Sequence, residues 1–168
     1  MKQPIPTNRE KTFSENELII SKTDARGKIT YGNEIFIELS GYTEKELLNA
    51  PHNIVRHPEM PKVVFKLLWD TVKTGKEIHA YVKNLSKDGS YYWVFANITP
   101  SYDSSGNIIG YYSVRRKPSI RAINDVIIPL YQELLNAERI GGVNNSQKLL
   151  STILLKKGLT YEEFILSI

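Results

Sequence analysis

The sequence contains no cysteine, and this absence excludes several classes of protein. Without thiols the chain forms no disulfides, and it binds no zinc or iron–sulfur cluster through cysteine. Nucleophilic or redox chemistry at a thiol is excluded for the same reason. The absence is consistent with a protein that works in the reducing cytosol.

Long apolar segments are also missing. No apolar run approaches the roughly 18 residues that a membrane-spanning helix needs. The start of the chain, MKQPIPTNREKTF, has no apolar core of the kind found in signal peptides. The sequence therefore predicts a soluble, cytoplasmic protein that becomes peripheral to the inner membrane only through a partner.

Catalytic motifs and strong charge patterns are absent as well. The sequence has no HExxH motif, P-loop, Rossmann glycine fingerprint or recognisable nucleophile–base pair, so we predict that the protein is not an enzyme. The net charge is only +4, and the one tight basic cluster is RRK at 115–117. We interpret that cluster as a solvated strand end and predict no binding to nucleic acid.

The residues that are present suit one domain with an appended tail. Apolar residues make up 41% of the 168 residues, which is enough to bury a core. Residues 1–16 are polar and predict an extended or mobile lead-in, 17–117 predict the folded domain, and 118–168 predict a C-terminal helical tail.

The patterns within 17–117 predict an α+β fold. A turn at Asp24–Gly27 predicts a β-hairpin, and Thr43 with Glu46 forms a capping box at the start of a short helix. A longer helix follows Pro61. From Ile78 to Lys117 the apolar period becomes two, which predicts three further strands. The simplest arrangement is a five-stranded antiparallel sheet with short helices on one face.

The tail shows helical periodicity with three signals that interrupt or restart helices. Pro129 is expected to kink or interrupt the first helix, and Gly141–Gly142 to break the chain. Thr160 and Glu163 form a second capping box before the last helix. Because the tail is amphipathic, we expect it to dock on its own domain or on a partner.

Residues 51–61, PHNIVRHPEMP, are the most unusual segment. Pro58 and Pro61 restrict the backbone and so hold Arg56 and His57 in place. The planar guanidinium of Arg56 suits a diphosphate, and His57 can donate to a phosphate or stack on a ring. The alternative is that both are surface charges. We assign His52 a structural role.

Other candidate ligand-binding residues lie on predicted apolar faces. Phe65 and Trp69 share one face of the helix after Pro61, either as plain core or as ring contacts. Asn84 lies among apolar residues on its strand, where a buried amide needs a partner. Tyr92 is a candidate wall of the same pocket.

Four segments resemble the PAS sensor domain of aerotaxis (Aer-type) receptors. They are ITYGNEIFIELSGYTEKEL, PHNIVRHPEMPK, VKNLSKDGSYYWVFANITP and IGYYSVRRKP. The resemblance covers about 17–137, and the segment HNIVRHPEMP is its most specific part. It implies the PAS fold, with the helices on one face of the sheet and the C-terminal helical tail beyond it.

The resemblance also implies a function. Members of this family hold FAD noncovalently and report its redox state to a chemotaxis signalling module. Because the chain ends at Ile168 without membrane segments or an output domain, we expect a separate methyl-accepting chemotaxis transducer as partner, and a homodimer is open. The resemblance adds Glu59, which stands where the family has an acidic residue, and Asn33, which is also a plausible helix cap. One departure is Ile78, where well-known receptors carry tryptophan.

Three alternatives to FAD remain at this stage. FMN is one, and haem b with His57 or His79 as axial ligand is another. The third is a cofactor-free interaction module with its pocket packed shut. A flavin photoreceptor that forms a cysteinyl adduct is excluded because the sequence has no thiol.

Overall fold

A computed structural model describes residues 3–168. Met1 and Lys2, at the start of the predicted lead-in, lie outside the described residues. The domain is built on one antiparallel sheet with the strand order β2-β1-β5-β4-β3. The strands are β1 (Ile19–Asp24), β2 (Ile29–Gly32), β3 (Ile78–Leu85), β4 (Tyr91–Tyr102) and β5 (Ile108–Arg116). The predicted five-stranded α+β fold is confirmed.

Short helices between β2 and β3 cover the inner face of this sheet. They are α1 (Glu34–Ser40), α2 (Glu44–Leu47), a 3-10 turn (His52–Val55) and α3 (Lys62–Val72). The side-chain oxygen of Asn33 accepts from the backbone N–H of Phe36, and Thr43 forms the predicted capping box with Glu46. Local capping therefore fixes where these helices begin.

The C-terminal tail consists of a π-helical turn (Ala122–Ile127), α4 (Ile128–Lys157) and α5 (Tyr161–Leu166). Pro129 lies in the first turn of α4, directly after the π-helical turn, and the helical run continues through both, so the irregular part of the helix is the turn beside the proline. Gly141 (φ −141°, ψ 20°) and Gly142 (φ 71°, ψ −169°) leave helical geometry and divide α4 into two halves.

The tail packs on the outer face of its own sheet, over β3 and β4. The hydroxyl of Tyr131 donates to the carbonyl of Tyr81 at 2.6 Å, and that of Tyr161 donates to the carbonyl of His79 at 3.0 Å. The ring of His79 also pairs with the carboxylate of Glu162. Of the two predicted docking places, the described chain uses its own domain.

Part of the lead-in is held against the turn between β3 and β4. The N–H of Thr7 donates to the carbonyl of Gly89, and the N–H of Lys11 donates to the carbonyl of Tyr91, both at 2.7 Å. Backbone hydrogen bonds therefore tie residues 7–11 to the sheet.

Truncation of a buried side chain in the tail tests this packing. Leu134 is fully buried in the core formed with the sheet, whereas Ile140 is 85% exposed on the same half of α4. We expect Leu134→Ala to lower the free energy of unfolding by about 2–5 kcal/mol, because it removes a buried side chain and leaves a cavity. Ile140→Ala is the matched control, with an expected change within about 0.5 kcal/mol. Urea denaturation measures both, and equal effects would contradict docking of the tail.

Candidate ligand-binding cavity

The inner face of the sheet and α3 enclose a cavity of about 550 Å³. This volume lies within the roughly 300–1,000 Å³ typical of small-molecule sites. Its apolar walls come from both elements and include Val82, Ala96, Ile98, Leu68, Trp69 and Val72. The cavity therefore has room and apolar surface for a flat organic ligand.

A glycine in the β1–β2 turn lets an aromatic ring close one wall. Gly27 has a φ of 80°, and a Cβ atom at this position would lie 3.0 Å from the Trp69 ring. That ring packs edge-on against Tyr111, with centroids 5.3 Å apart. Gly27 thus meets two demands, a left-handed backbone and close approach of the indole.

The solvent-exposed rim of the cavity is cationic. Four basic side chains line it, and no acidic side chain lines the cavity anywhere in residues 3–168; the four are Arg26, Arg56, Lys62 and Lys66. The guanidinium carbon of Arg56 lies 3.8 Å from the centroid of the Phe65 ring, and Lys66 pairs with Asp70 at 2.5 Å. Arg56 has no salt-bridge partner among the described residues. The rim favours an anionic group.

The buried end of the cavity holds a second arginine. Arg115 is only 2% exposed, and its Nη2 donates to the hydroxyl of Ser21 at 2.5 Å. Its Nε and Nη1 have no hydrogen-bond partner in the described chain. Burial lowers the pKa of this guanidinium to about 10, but it remains charged at neutral pH.

The interpretation of the basic cluster at 115–117 as a solvated strand end is therefore wrong for its first member. Successive side chains of a strand point to opposite faces, so β5 directs Arg115 into the cavity and Arg116 outward to solvent. Charge and position in the sequence did not distinguish these two neighbours.

Two further buried polar side chains near Arg115 lack partners. The side-chain nitrogen of Asn84 and the hydroxyl of Tyr92 make no hydrogen bond within the described chain. Asn84 and Tyr92 are direct partners across β3 and β4, and burial raises the pKa of Tyr92 to about 12. Each unsatisfied group costs on the order of 1–3 kcal/mol. Such a cluster beside a cavity points to a polar ligand edge.

The structure brings together half of the residues that the sequence nominated as ligand contacts. The four that line the cavity are Arg56, Phe65, Trp69 and Asn84. The four that do not line it are Asn33, His57, Glu59 and Tyr92. Ile78, the departure from the family's tryptophan, is buried in the core outside the cavity lining.

Three of the four residues outside the lining, all except Tyr92, have hydrogen-bond or ion-pair partners within the protein that explain their positions. Both groups of the Asn33 amide are used, since its oxygen also accepts from the N–H of Ile20 at 3.0 Å and its nitrogen donates to the carbonyl of Leu18 at 2.8 Å. His57 is buried and its Nδ1 accepts from the N–H of Glu59 at 3.1 Å. The carboxylate of Glu59 pairs with Lys83.

His52 is a cavity residue that sequence reasoning assigned only a structural role. Its Nε2 lies 3.0 Å from the hydroxyl of Ser21, the same hydroxyl that accepts from Arg115. Burial and the charge of Arg115 lower the pKa of His52 to about 3. The ring is therefore neutral, and Ser21 links it to the guanidinium. Its place in the proline-rich segment with Arg56 was the available signal.

Neither histidine proposed as a haem ligand lines this cavity. His57 faces the ring of Tyr91, and His79 lies on the outer face of the sheet with Glu162. A haem ligand on the cavity would have to be His52, whose Nε2 is engaged with Ser21.

Comparison with known proteins agrees with this architecture. The family profile described as the PAS fold matches residues 29–115, more than half of the chain. The chain belongs to the PAS family. This confirms the resemblance identified in the sequence and makes the chain a PAS signal-sensor domain.

The aerotaxis receptor of Escherichia coli K12 is 37% identical over 155 residues, which is 92% of this PAS chain but 29% of the receptor. The light-state structure of the Aureochrome1 LOV blue-light photoreceptor is 25% identical with a TM-score of 0.58, over 66% of this chain and 89% of that one. A light-oxygen-voltage domain studied with a flavin analogue is 27% identical with a TM-score of 0.56, over 69% and 87%. Across residues 3–168, no helix has the length and apolar character to cross a bilayer.

Replacement of Arg115 tests whether the buried charge serves the protein or a ligand. In the ligand-free PAS domain, Arg115→Met should leave the free energy of unfolding unchanged or raise it by about 1–4 kcal/mol, because an unpaired buried charge is removed. Arg116→Met, on the exposed side of β5, is the control and should change little. Chemical denaturation at neutral pH measures both. A loss of more than about 1 kcal/mol in Arg115→Met alone would show that the charge stabilises the fold.

The two buried histidines predict a specific pH dependence of stability. Burial lowers the pKa of His52 to about 3 and that of His57 to about 4, whereas an unfolded histidine titrates near 6.5. Between pH 6.5 and 5 the unfolded chain binds protons that the folded chain does not, so stability falls as pH falls.

We expect this loss to reach up to about 2 kcal/mol per histidine by pH 5, and His52→Gln to remove its share. Urea denaturation of both proteins at several pH values measures the slope. An identical slope in the variant would mean that folding does not lower the pKa of His52.

Proposed function

We propose that this PAS domain binds FAD noncovalently in the cavity and reports the redox state of the flavin to a separate methyl-accepting chemotaxis transducer. The observation that carries the proposal is that the cavity combines unsatisfied buried donors with a cationic rim. A dinucleotide with a polar ring system and a diphosphate matches both features.

The buried end fits the polar edge of a flavin ring. That edge alternates N–H and C=O groups, and the amide of Asn84 can offer either a donor or an acceptor to it. The free Nε–H and Nη1–H groups of Arg115 are donors for ring carbonyls or for negative charge. Phe65 and Trp69 supply aromatic surface along the cavity.

The cationic rim fits a diphosphate. Arg56 has the planar arrangement of donors that suits phosphate oxygens, and its ring contact with Phe65 keeps that plane in place. The further positive charges of Arg26 and Lys62 favour FAD over FMN, which has a single phosphate.

When bound, the flavin supplies the electron-transfer chemistry of the sensor. The chain's contribution is electrostatic, because the fixed charge of Arg115 favours additional negative charge in the cavity. Asn84 can rotate its amide when the hydrogen-bonding pattern opposite it changes.

The same strand connects the cavity with the tail. On β3, Val82 and Asn84 line the cavity, while the backbone carbonyls of His79 and Tyr81 accept from tyrosines of the tail. A rearrangement at Asn84 thus occurs on the same strand as the tail contacts that a transducer would read. A second copy of the chain is the other candidate partner.

Other PAS functions make different demands on this cavity. A cofactor-free interaction module would fill the space with its own side chains, whereas a volume of about 550 Å³ remains open here. A photoreceptor working through a cysteinyl adduct has no thiol to use. Haem b would require an axial ligand that is free to bind iron, whereas His52, the histidine that lines the cavity, is engaged with Ser21.

The visible absorption spectrum of the purified protein tests the proposal. We expect flavin bands that disappear on addition of dithionite, and chromatography of the released cofactor should identify FAD. Arg56→Ala should weaken FAD binding about tenfold or more, because charge-assisted hydrogen bonds to phosphate are lost. Arg121→Ala, which removes a side chain that is 91% exposed in the tail, is the matched control.

A Soret band in that spectrum would replace FAD by haem. Protein that stays colourless after reconstitution with FAD would support the cofactor-free module. Full flavin absorbance and unchanged affinity in Arg56→Ala would contradict the assignment of the rim to the diphosphate.

A further inference from the structure

Glu138 joins three segments of the chain at one carboxylate oxygen. Its Oε1 accepts from the backbone N–H of Val63 at 2.9 Å and from the hydroxyl of Ser146 at 3.1 Å. Val63 lies in the first turn of α3, Glu138 lies at the end of the first half of α4, and Ser146 lies in the second half, beyond Gly141–Gly142.

The contact with Val63 supplies a helix cap that α3 lacks locally. Pro61 precedes the helix and has no side chain able to accept a hydrogen bond, so the first N–H groups of α3 need an acceptor from elsewhere. Glu138 provides one from 75 residues further along the chain. Because α3 carries Phe65 and Trp69 into the cavity, Glu138 connects the tail with a cavity wall.

Glu138 also lies near the cationic rim. Burial lowers the pKa of Arg56, and the negative charge of Glu138 opposes that change, although the two side chains are not within salt-bridge distance. The carboxylate and an anionic ligand at Arg56 would share one positively charged region, formed by the guanidinium and the start of α3. Two negative groups in such a region repel each other.

The second half of α4 is held less firmly than the first. Its buried residues are Ser146 and Leu150, whereas the first half buries Tyr131, Leu134 and Ala137. Two polar contacts link it to the first half across Gly141–Gly142: the side-chain nitrogen of Asn145 donates to the carbonyl of Ala137 at 3.0 Å, and the hydroxyl of Ser146 has the carboxylate of Glu138 and the carbonyl of Val143 as alternative acceptors. The contact with Glu138 is the one of the two that involves a charge.

We propose that Glu138 couples the cavity to the tail: a diphosphate at Arg56 weakens the contacts of Glu138, and the second half of α4 loosens about Gly141–Gly142. The inference rests on the proposed binding of FAD and adds the route by which occupancy reaches the tail. Linkage requires the reciprocal effect, so that removal of the Glu138 charge strengthens ligand binding by the same factor.

Glu138→Gln separates charge from hydrogen bonding, because the amide oxygen can still accept from Val63 and Ser146. We expect this variant to bind FAD about threefold more tightly than the unmodified protein, as removal of one nearby repulsion predicts. Inorganic pyrophosphate, used as a competitor of FAD, should show the same gain. Glu133→Gln, at an exposed position on the same half of α4, is the matched control and should leave both affinities unchanged.

Hydrogen exchange of the amides in 143–157 provides the readout from the tail. In the unmodified protein, FAD should speed this exchange about threefold, and in Glu138→Gln it should have no effect. Glu138→Ala should speed exchange in 143–157 and in the first turn of α3 without any ligand, because it removes the shared acceptor.

The outcomes separate this inference from the proposed function. If FAD fails to bind the unmodified protein, both are overturned. If FAD binds but exchange in 143–157 and the affinity of Glu138→Gln are unchanged, the coupling through Glu138 is overturned and FAD binding stands.

Discussion

The buried guanidinium of Arg115 is the interaction that organises the inner half of this PAS domain. It has one hydrogen bond, to Ser21, and lies 4.7 Å from the centroid of the Phe36 ring, and no carboxylate within residues 3–168 forms an ion pair with it. Burial and the charge of Arg115 lower the pKa of His52, which therefore stays neutral. The His52 ring contacts the same Ser21 hydroxyl as the guanidinium. The interior is therefore prepared for a group that brings acceptors or negative charge.

Because successive side chains of a β-strand point to opposite faces, the two faces of the sheet make different contacts. Inward side chains of β3 and β5 meet the cavity, while the outward side chains and backbone carbonyls of β3 meet the tail. Because the two sets alternate along the same strands, Asn84 in the cavity is separated from the nearest tail contact, at Tyr81, by three residues of β3, about 10 Å. The proposed coupling through Glu138 adds a second connection, by way of α3.

Local signals in the sequence were sufficient for most of the fold. The capping boxes at Thr43 and Thr160, the turn at Asp24 and the break at Gly141–Gly142 depend on neighbours within a few residues, and all are found where they were predicted. The cavity was harder to predict. Arg115 and Arg116 have the same charge and neighbourhood, and only the register of β5 in the folded sheet separates them.

Partners that come from distant parts of the chain explain the other differences. His57 is adjacent to Arg56 but turns inward against Tyr91, and His52 reaches Ser21 on β1 from the 3-10 turn. The acceptor for α3 comes from the tail and has no counterpart in the local pattern. The strand order that creates these contacts was not part of the sequence prediction.

The π-helical turn at Ala122–Ile127 sets the rotational phase of everything that follows it. A π-helical turn contains one residue more than an α-helical turn, and each residue of an α-helix corresponds to about 100° of rotation. Deletion of one residue from this turn would restore an ordinary α-helix. It would rotate Tyr131 and Leu134 of α4 away from the sheet. The length of six residues, more than their identity, thus decides which side of the long helix meets the domain.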